Sequence, residues 1–167
     1  MASPKLQIDD TSQDEWRRFC GTGQLYAVVD SCDEPSVPKK VDEAGPAKAV
    51  SLYRGEAMEQ YSTVAPYLMH VDSGIFDWIV SDLWAAPWGI FVYAEGPLES
   101  LRTHFRRYLT VQGPHGKKYL FRFYDPSVLP SFLESCNDRE LTDFFGPVRG
   151  YGAKKQQGVT CLRLRRQ

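Results

Sequence analysis

The sequence has only four cysteines among 167 residues, and they lie far apart along the chain. No two of them form a CxxC pair, and none has a histidine at the spacing of a metal ligand. This arrangement argues against a zinc site and against a thioredoxin-type redox motif. We expect reduced, partly buried thiols at these positions, which are Cys20, Cys32, Cys136 and Cys161.

Long apolar runs are also missing from the sequence. The most apolar stretch, residues 75–94, is interrupted by Asp77 and Asp82, so the sequence predicts no membrane-spanning helix. Residues 1–14 are polar and acidic, and they lack the basic start and the apolar run of a secretory signal. These two absences predict a cytoplasmic protein that does not associate with a membrane.

Motifs that mark common catalytic sites are absent as well. The chain has no GxSxG, HExxH, GxxxxGK[ST] or GxGxxG pattern, and no nucleophile motif adjoins its histidines, which are His70, His104 and His115. A catalytic triad depends on geometry rather than on chain order, so Cys32, His104 and Asp125 remain one possible combination. A small hydrolase or transferase with its site around His104 is therefore kept as an alternative hypothesis.

Charge is unevenly distributed although the net charge is only -1. Residues 1–97 carry 7 basic and 15 acidic side chains, a net charge of -8, whereas residues 98–167 carry 13 and 6, a net charge of +7. A nucleic-acid-binding module that uses the basic half is a third hypothesis. Since an acidic half in the same small domain would repel a phosphate backbone, we expect no nucleic-acid partner. The two halves are expected to complement each other or to face protein partners.

Strand-like and helix-like segments alternate along the chain. We expect residues 1–12 to form a loose lead, residues 14–19 a short helix and residues 25–29 the first strand. The stretch 30–48, which contains prolines and glycine, is predicted to be a long loop. The pattern predicts one α/β domain, with α+β as the alternative, built on a mixed sheet of about five strands with three to four helices.

A cationic helix is predicted at residues 98–109. Arg102 and Arg106 lie one turn apart on it and form what we call the cationic ridge, with His104 and Arg107 nearby. Guanidinium groups bind carboxylates in a bidentate manner, so this ridge is a candidate partner-binding site, and a solvated face is the alternative. Reversing both ridge charges to glutamate is expected to weaken partner binding without unfolding the domain.

A strand at 118–124 and a helix from 125 to about 136 are predicted next. Alternation along the strand places Arg122 and Tyr124 on one face, and we expect Arg122 to pair with Asp125 and lock the strand to the helix. Four aromatic residues are candidate interface anchors, although core packing is the favoured interpretation. They are Trp84, Trp88, Phe144 and Phe145.

Five segments, taken together and in this order, resemble one known family. They are LYAVVD (25–30), APYL (65–68), LRTHFRRYLTV (101–111), LFRFYDPSVL (120–129) and FFGP (144–147). In order and spacing they resemble the effector chaperone family of bacterial type VI secretion, also called Tap or TEC adaptors. The resemblance covers about residues 24–147 and implies a lead at 1–23 and a C-terminal segment at 148–167. We expect an edge strand at 159–165 within that segment.

The resemblance implies a function that needs neither catalysis nor a cofactor. Such a protein binds a cognate toxin effector in the cytoplasm of the producing bacterium and loads it onto the VgrG spike. The effector and the spike protein are thus the expected partners. The cationic ridge, His104, Arg107, Arg122 and the four aromatic candidates are the residues expected to contact them.

Overall fold

Nine strands and seven helices are present in residues 3–165, the part of the chain that the computed structural model describes. The strands are β1 (Lys5–Thr11), β2 (Leu25–Asp30), β3 (Ala49–Ser51), β4 (Pro66–His70), β5 (Gly89–Ala94), β6 (Thr110–Gln112), β7 (Lys118–Leu120), β8 (Val148–Lys154) and β9 (Val159–Arg165). The helices are α1 (Gln13–Phe19), α2 (Ser36–Ala44), α3 (Gly55–Gln60), α4 (Ser73–Trp78), α5 (Leu98–Arg106), α6 (Leu129–Ser135) and α7 (Asp138–Phe145). No helix in this range is long and apolar enough to cross a bilayer.

Seven of the strands form one sheet in the order β1-β9-β8-β5-β2-β4-β3, and every neighbouring pair in it is antiparallel. The remaining two, β6 and β7, form a separate antiparallel hairpin. The single α+β domain is confirmed, whereas the mixed sheet of about five strands with three to four helices is wrong. Strand β3 lies within a segment that the sequence predicts as a strand, 49–53, whereas the polar strand β1 and the glycine-interrupted strand β8 carry too weak a pattern to be recognised.

Helices cover both faces of this sheet, and the sheet divides the core into two layers. Along β2 all six residues are buried, with Tyr26 and Val28 in one layer and Leu25, Ala27 and Val29 in the other. Helices α5, α6 and α7 contribute to the first layer, and α1, α2 and α4 to the second. The continuous apolar run of β2 follows from this position, because a strand covered on both faces needs no polar side.

Residues 5–11, within the segment predicted as a loose lead, form a strand of the main sheet. Strand β1 pairs with β9 along its whole length, from Lys5 opposite Arg165 to Thr11 opposite Val159. Strand β9 therefore lies inside the sheet, and the edge strand predicted at 159–165 is wrong because β1 occupies that edge. Three strands outside residues 24–147, namely β1, β8 and β9, thus belong to the same sheet as the rest.

The loop predicted at 30–48 contains helix α2. Pro38 lies in the first turn of this helix, where its missing N–H would have no intrahelical acceptor. Val37 is completely buried and attaches the helix to the core. Gly45, with φ of +82°, ends the helix and donates its N–H to the carbonyl oxygen of Val41.

Three predicted boundaries in the second half of the chain are corrected by the structure. The helix predicted at 98–109 ends at Arg106, and the strand predicted at 118–124 is reduced to the three residues of β7. The helix predicted from 125 begins at Leu129, because Asp125 accepts hydrogen bonds from the backbone N–H and hydroxyl of Ser127 in a preceding turn.

Candidate functional site

Helix α5 directs both arginines of the cationic ridge at backbone carbonyl groups that end and follow β3. Arg106 donates from Nε to the carbonyl oxygen of Leu52 at 3.0 Å and from Nη2 to that of Tyr53 at 2.7 Å. Arg102 donates from Nε to the carbonyl oxygen of Ser51 at 3.1 Å. Strand β3 is an edge of the sheet, so the guanidinium groups supply donors where no further strand is present. Both side chains are half-buried and engaged within the domain.

The surroundings of Arg106 are electropositive. Burial, followed by the nearby charges of Arg102 and Arg54, lowers the pKa of Arg106, and Glu99 offsets part of this effect. An arginine keeps its charge at neutral pH even so. Arg102 in turn forms an ion pair with Glu99 at 3.1 Å and points its Nη2 at the sulfur of Met58 at 3.7 Å. The ridge therefore combines internal hydrogen bonds with a positive potential.

Replacing Arg106 by alanine is expected to lower the free energy of unfolding by about 1 to 3 kcal/mol, because the carbonyl groups of the buried Leu52 and the half-buried Tyr53 lose their side-chain donor. It replaces the expectation, drawn from the sequence, that reversing the charges of Arg102 and Arg106 leaves the domain folded. Arg107→Ala is the matched control, since Arg107 is exposed and the one side-chain hydrogen bond that it donates within residues 3–165 goes to Tyr108. Urea unfolding of the two variants measures the difference, and equal stabilities would contradict the assignment.

His104 is buried inside the aromatic core rather than exposed in a cleft. Its Nε2 lies 2.7 Å from the carbonyl oxygen of Phe144, and a carbonyl only accepts, so Nε2 carries the proton. Burial lowers the pKa of His104, with Arg107 adding to this effect and the bond to Phe144 opposing it. The ring packs 5.2 Å from that of Phe105 and 5.4 Å from that of Tyr108. A neutral imidazole in this position serves to join α5 to α7.

The catalytic combination of Cys32, His104 and Asp125 is not assembled in the structure. Cys32 and Asp125 line one cleft of about 270 Å³ together with Arg122, and His104 does not line it. The unprotonated nitrogen of His104, Nδ1, belongs to a ring that is only 7% exposed and lies within the aromatic core. The hypothesis of a hydrolase or transferase around His104 therefore has no geometric support within residues 3–165.

Arg122 pairs with Asp30, not with Asp125 as predicted. Asp30 lies at the end of β2, where it is buried and accepts from the backbone N–H of Cys32 at 3.0 Å and from Nη2 of Arg122. Next to this pair, burial and then the charge of Asp30 raise the pKa of Tyr124 well above its usual range. The segment after β7 is thus locked to the centre of the sheet rather than to the start of α6.

The aromatic candidates lie mainly in the core. Phe144, Phe145 and Trp88 are buried, and Trp84 is half-buried beside Trp88 with ring centroids 6.1 Å apart. Core packing, the favoured interpretation, is confirmed for the three buried residues. They present too little surface in this conformation to act as interface anchors.

Sequence reasoning missed an exposed apolar surface. Seven large apolar side chains are prominently exposed in residues 3–165, and six of them belong to two segments, α3 with its following turn and the β6–β7 hairpin. Apolar residues in a sequence indicate burial by default, so their exposure could be found only in the structure. The six residues, which we call the α3–hairpin surface, are Met58, Tyr61, Val64, Val111, Tyr119 and Leu120.

A groove of about 260 Å³ lies between these two segments. Arg54 and Ala57 line it from the α3 side, and Thr110 and Leu120 from the hairpin side. Arg106 is also part of the lining, so the ridge arginine that supports β3 also borders this groove. The remaining lining residues are Leu52, Tyr53 and Leu109. The groove thus has apolar walls and two cationic side chains.

Comparison with known proteins places this fold in a family. A model of the domain of unknown function DUF4123 matches residues 25–143, from the start of β2 into α7. No curated protein and no solved structure matches the chain. Both sides of the groove lie within the matched range, while β1, β8 and β9 complete the sheet outside it. Because the match covers well over half of its 167 residues, the chain belongs to the DUF4123 family.

Proposed function

We propose that this chain is a cytoplasmic adaptor that binds a cognate toxin effector of type VI secretion and loads it onto the VgrG spike. Its five ordered segments at 24–147 resemble those of effector chaperones, and the DUF4123 match at 25–143 covers nearly the same residues. The observation that carries the proposal is the α3–hairpin surface, because exposed apolar side chains grouped on neighbouring segments mark sites where proteins associate.

The size of the molecule is compatible with two partners. A standard interface takes about 800 Å² from each protein, so binding an effector and a spike requires about 1,600 Å². The accessible surface of this structure is 9240 Å², of which two such interfaces occupy less than a fifth. One compact domain can therefore hold both partners on separate faces.

The rival enzyme hypothesis is supported less well by the same structure. A general base must reach the proton that it removes, but His104 is only 7% exposed and its ring packs among Phe105, Tyr108 and Phe144. Cys32 and Asp125 line a cleft that His104 does not reach. The adaptor proposal uses exposed features of the molecule and needs none of these groups to react.

Co-expression with the neighbouring toxin and spike genes tests this proposal. We expect a stoichiometric complex and a higher melting temperature of the effector, because a ligand that binds only the folded state stabilises it by mass action. At a hundredfold excess over Kd the gain is about 2.7 kcal/mol. An effector whose solubility and melting temperature are unchanged by the chain would contradict the adaptor function.

A further inference from the structure

The segments on the two sides of the groove carry large apolar side chains that are about half exposed. On α3 and the turn after it, Met58, Tyr61 and Val64 recur at a spacing of three residues, and their exposed fractions are 39%, 48% and 42%. On the hairpin, Tyr119 and Leu120 are 46% and 52% exposed. Leu120 lines the groove itself, and the other side chains lie on the two segments that flank it. Apolar exposure of this extent on two neighbouring segments indicates an interaction site.

The hairpin is less well supported than the strands of the main sheet. Each of its strands has three residues, all six residues are exposed, and its strands pair with each other alone. Val111 lies opposite Tyr119 on one face, and Thr110 lies opposite Leu120 on the other. An isolated two-stranded hairpin is only marginally stable in water, so contact with a partner would stabilise this one.

Positive charge at the groove is not neutralised within the described part of the chain. Arg54 and Arg106 line the groove, no carboxylate lines it, and the hairpin adds Lys117 and Lys118. None of these four side chains forms an ion pair in residues 3–165. A partner that supplies carboxylates would complete the electrostatic complementarity of this surface.

We propose that the α3–hairpin surface is the site that binds the effector, through an effector segment that carries both apolar and acidic side chains. This inference rests on the proposed adaptor function and assigns its binding site. The groove, at about 260 Å³, falls below the usual range of small-molecule pockets and suits one or two apolar side chains of such a segment. Carboxylates beside them pair with Arg54 and with the lysines of the hairpin.

A protein segment fits this surface better than nucleic acid or an anionic membrane. Glu56 and Glu59 are exposed on α3 beside the groove, and they would repel a continuous array of phosphates. A protein segment can place a few carboxylates against Arg54 and Lys118 and leave the region near the glutamates neutral. The combination of local positive charge and flanking negative charge thus selects for spaced acidic residues.

Two variants of the full chain, each with a matched control, test the site in binding titrations with purified effector. Leu120→Asp removes the apolar contact, and Ile8→Asp is its control because Ile8 is 42% exposed on β1, at the opposite edge of the sheet from β3. Arg54→Glu reverses a groove charge, and Arg139→Glu is its control because Arg139 is exposed on α7. Thermal unfolding identifies any variant that fails to fold.

We expect Leu120→Asp to weaken effector binding by about tenfold or more and Arg54→Glu by several fold, with the controls within about twofold of the wild type. The effect of Arg54→Glu should shrink at high salt, since the screening length falls to about 3 Å at 1 M. If Leu120→Asp does not fold, Arg54→Glu decides the result.

The possible failures are distinguishable. A wild-type chain that binds no effector contradicts the adaptor function itself. If the wild type binds but neither groove variant weakens binding, the proposed site is wrong and the adaptor function stands. Binding of anionic phospholipid vesicles or single-stranded DNA that depends on Arg54 and Leu120, with effector binding unchanged, would assign the surface to another class of partner and overturn the proposal.

Discussion

Replacing Phe144 by alanine is expected to lower the free energy of unfolding by about 3 to 5 kcal/mol, the usual cost of deleting a buried aromatic ring. The side chain is only 1% exposed. It packs against rings from the turn after α5, from α6 and from β8, with centroids 4.9 Å away for Tyr108, 5.1 Å for Phe132 and 5.3 Å for Tyr151. Its removal would leave a cavity at the point where these elements meet.

The backbone carbonyl of Phe144 keeps neighbouring groups from moving into the cavity that Phe144→Ala would leave. The carbonyl oxygen of Phe144 accepts from Nε2 of His104 at 2.7 Å and from the hydroxyl of Tyr151 at 3.1 Å. If α7 moved to fill the cavity, these two buried donors would lose their acceptor, at about 1 to 3 kcal/mol each. The helix is therefore expected to stay in place, so that most of the cavity remains empty.

Urea unfolding followed by circular dichroism measures this effect, with Phe132→Ala as the matched control. Phe132 belongs to the same aromatic cluster but is half-buried, so a smaller loss is expected for it. An interface anchor would give the opposite result, with weaker partner binding and unchanged stability. A Phe144→Ala variant as stable as Phe132→Ala would contradict its position in the core.

The parts of the fold that the sequence predicts are those with local signals. The apolar run of β2 indicates a strand buried on both faces, and the helix at 14–19 is found with only a one-residue error. Strand β1, in contrast, depends on pairing with β9 at the far end of the chain. Its polar sequence, KLQIDDT, gives no sign of a partner about 150 residues away.

The candidate site shows the same division between local spacing and distant contacts. The sequence correctly places Arg102 and Arg106 one helical turn apart, but their acceptors are backbone carbonyls about 50 residues earlier. Any residue type carries such a carbonyl, so no sequence pattern could have identified them. The sequence prediction pairs Arg122 with Asp125, the nearest carboxylate along the chain, because distant neighbours are not visible in a sequence. The partner in the structure, Asp30, lies 92 residues away.

The α3–hairpin surface was missed because its residues look like ordinary core residues. The sequence predicts one continuous strand at 118–124, whereas the chain leaves the strand conformation after Leu120. The Gly-Pro-His-Gly turn at 113–116 was the signal that could have predicted a hairpin between two short strands. Even with that hairpin, the exposure of Val111 and Tyr119 depends on how the hairpin lies against the domain.

Replacing Gly89 by alanine is expected to be the most damaging small substitution in the central sheet. Gly89 begins β5 with φ of +145°, a conformation that side chains disfavour, and a Cβ atom there would lie 1.9 Å from the carbonyl oxygen of Val28. Backbone strain of about 1 to 3 kcal/mol would be added to an overpacking cost of about 1 to 3 kcal/mol. We therefore expect a loss of about 2 to 6 kcal/mol.

The clash cannot be relieved by moving a side chain, because the obstructing atom belongs to the backbone of β2. Displacing β2 would disturb the pairing of Val29 with Gly89 and the position of Asp30, which holds Arg122. Gly21→Ala is the control, since a Cβ atom at Gly21 meets nothing within 4 Å, and it should change stability by less than about 1 kcal/mol. Soluble yield and melting temperature distinguish the two variants. If Gly89→Ala melts within a few degrees of the wild type, β2 and β5 do not approach as closely as the structure places them. The position of Asp30 at the end of β2, and with it the ion pair to Arg122, would then not depend on this close approach.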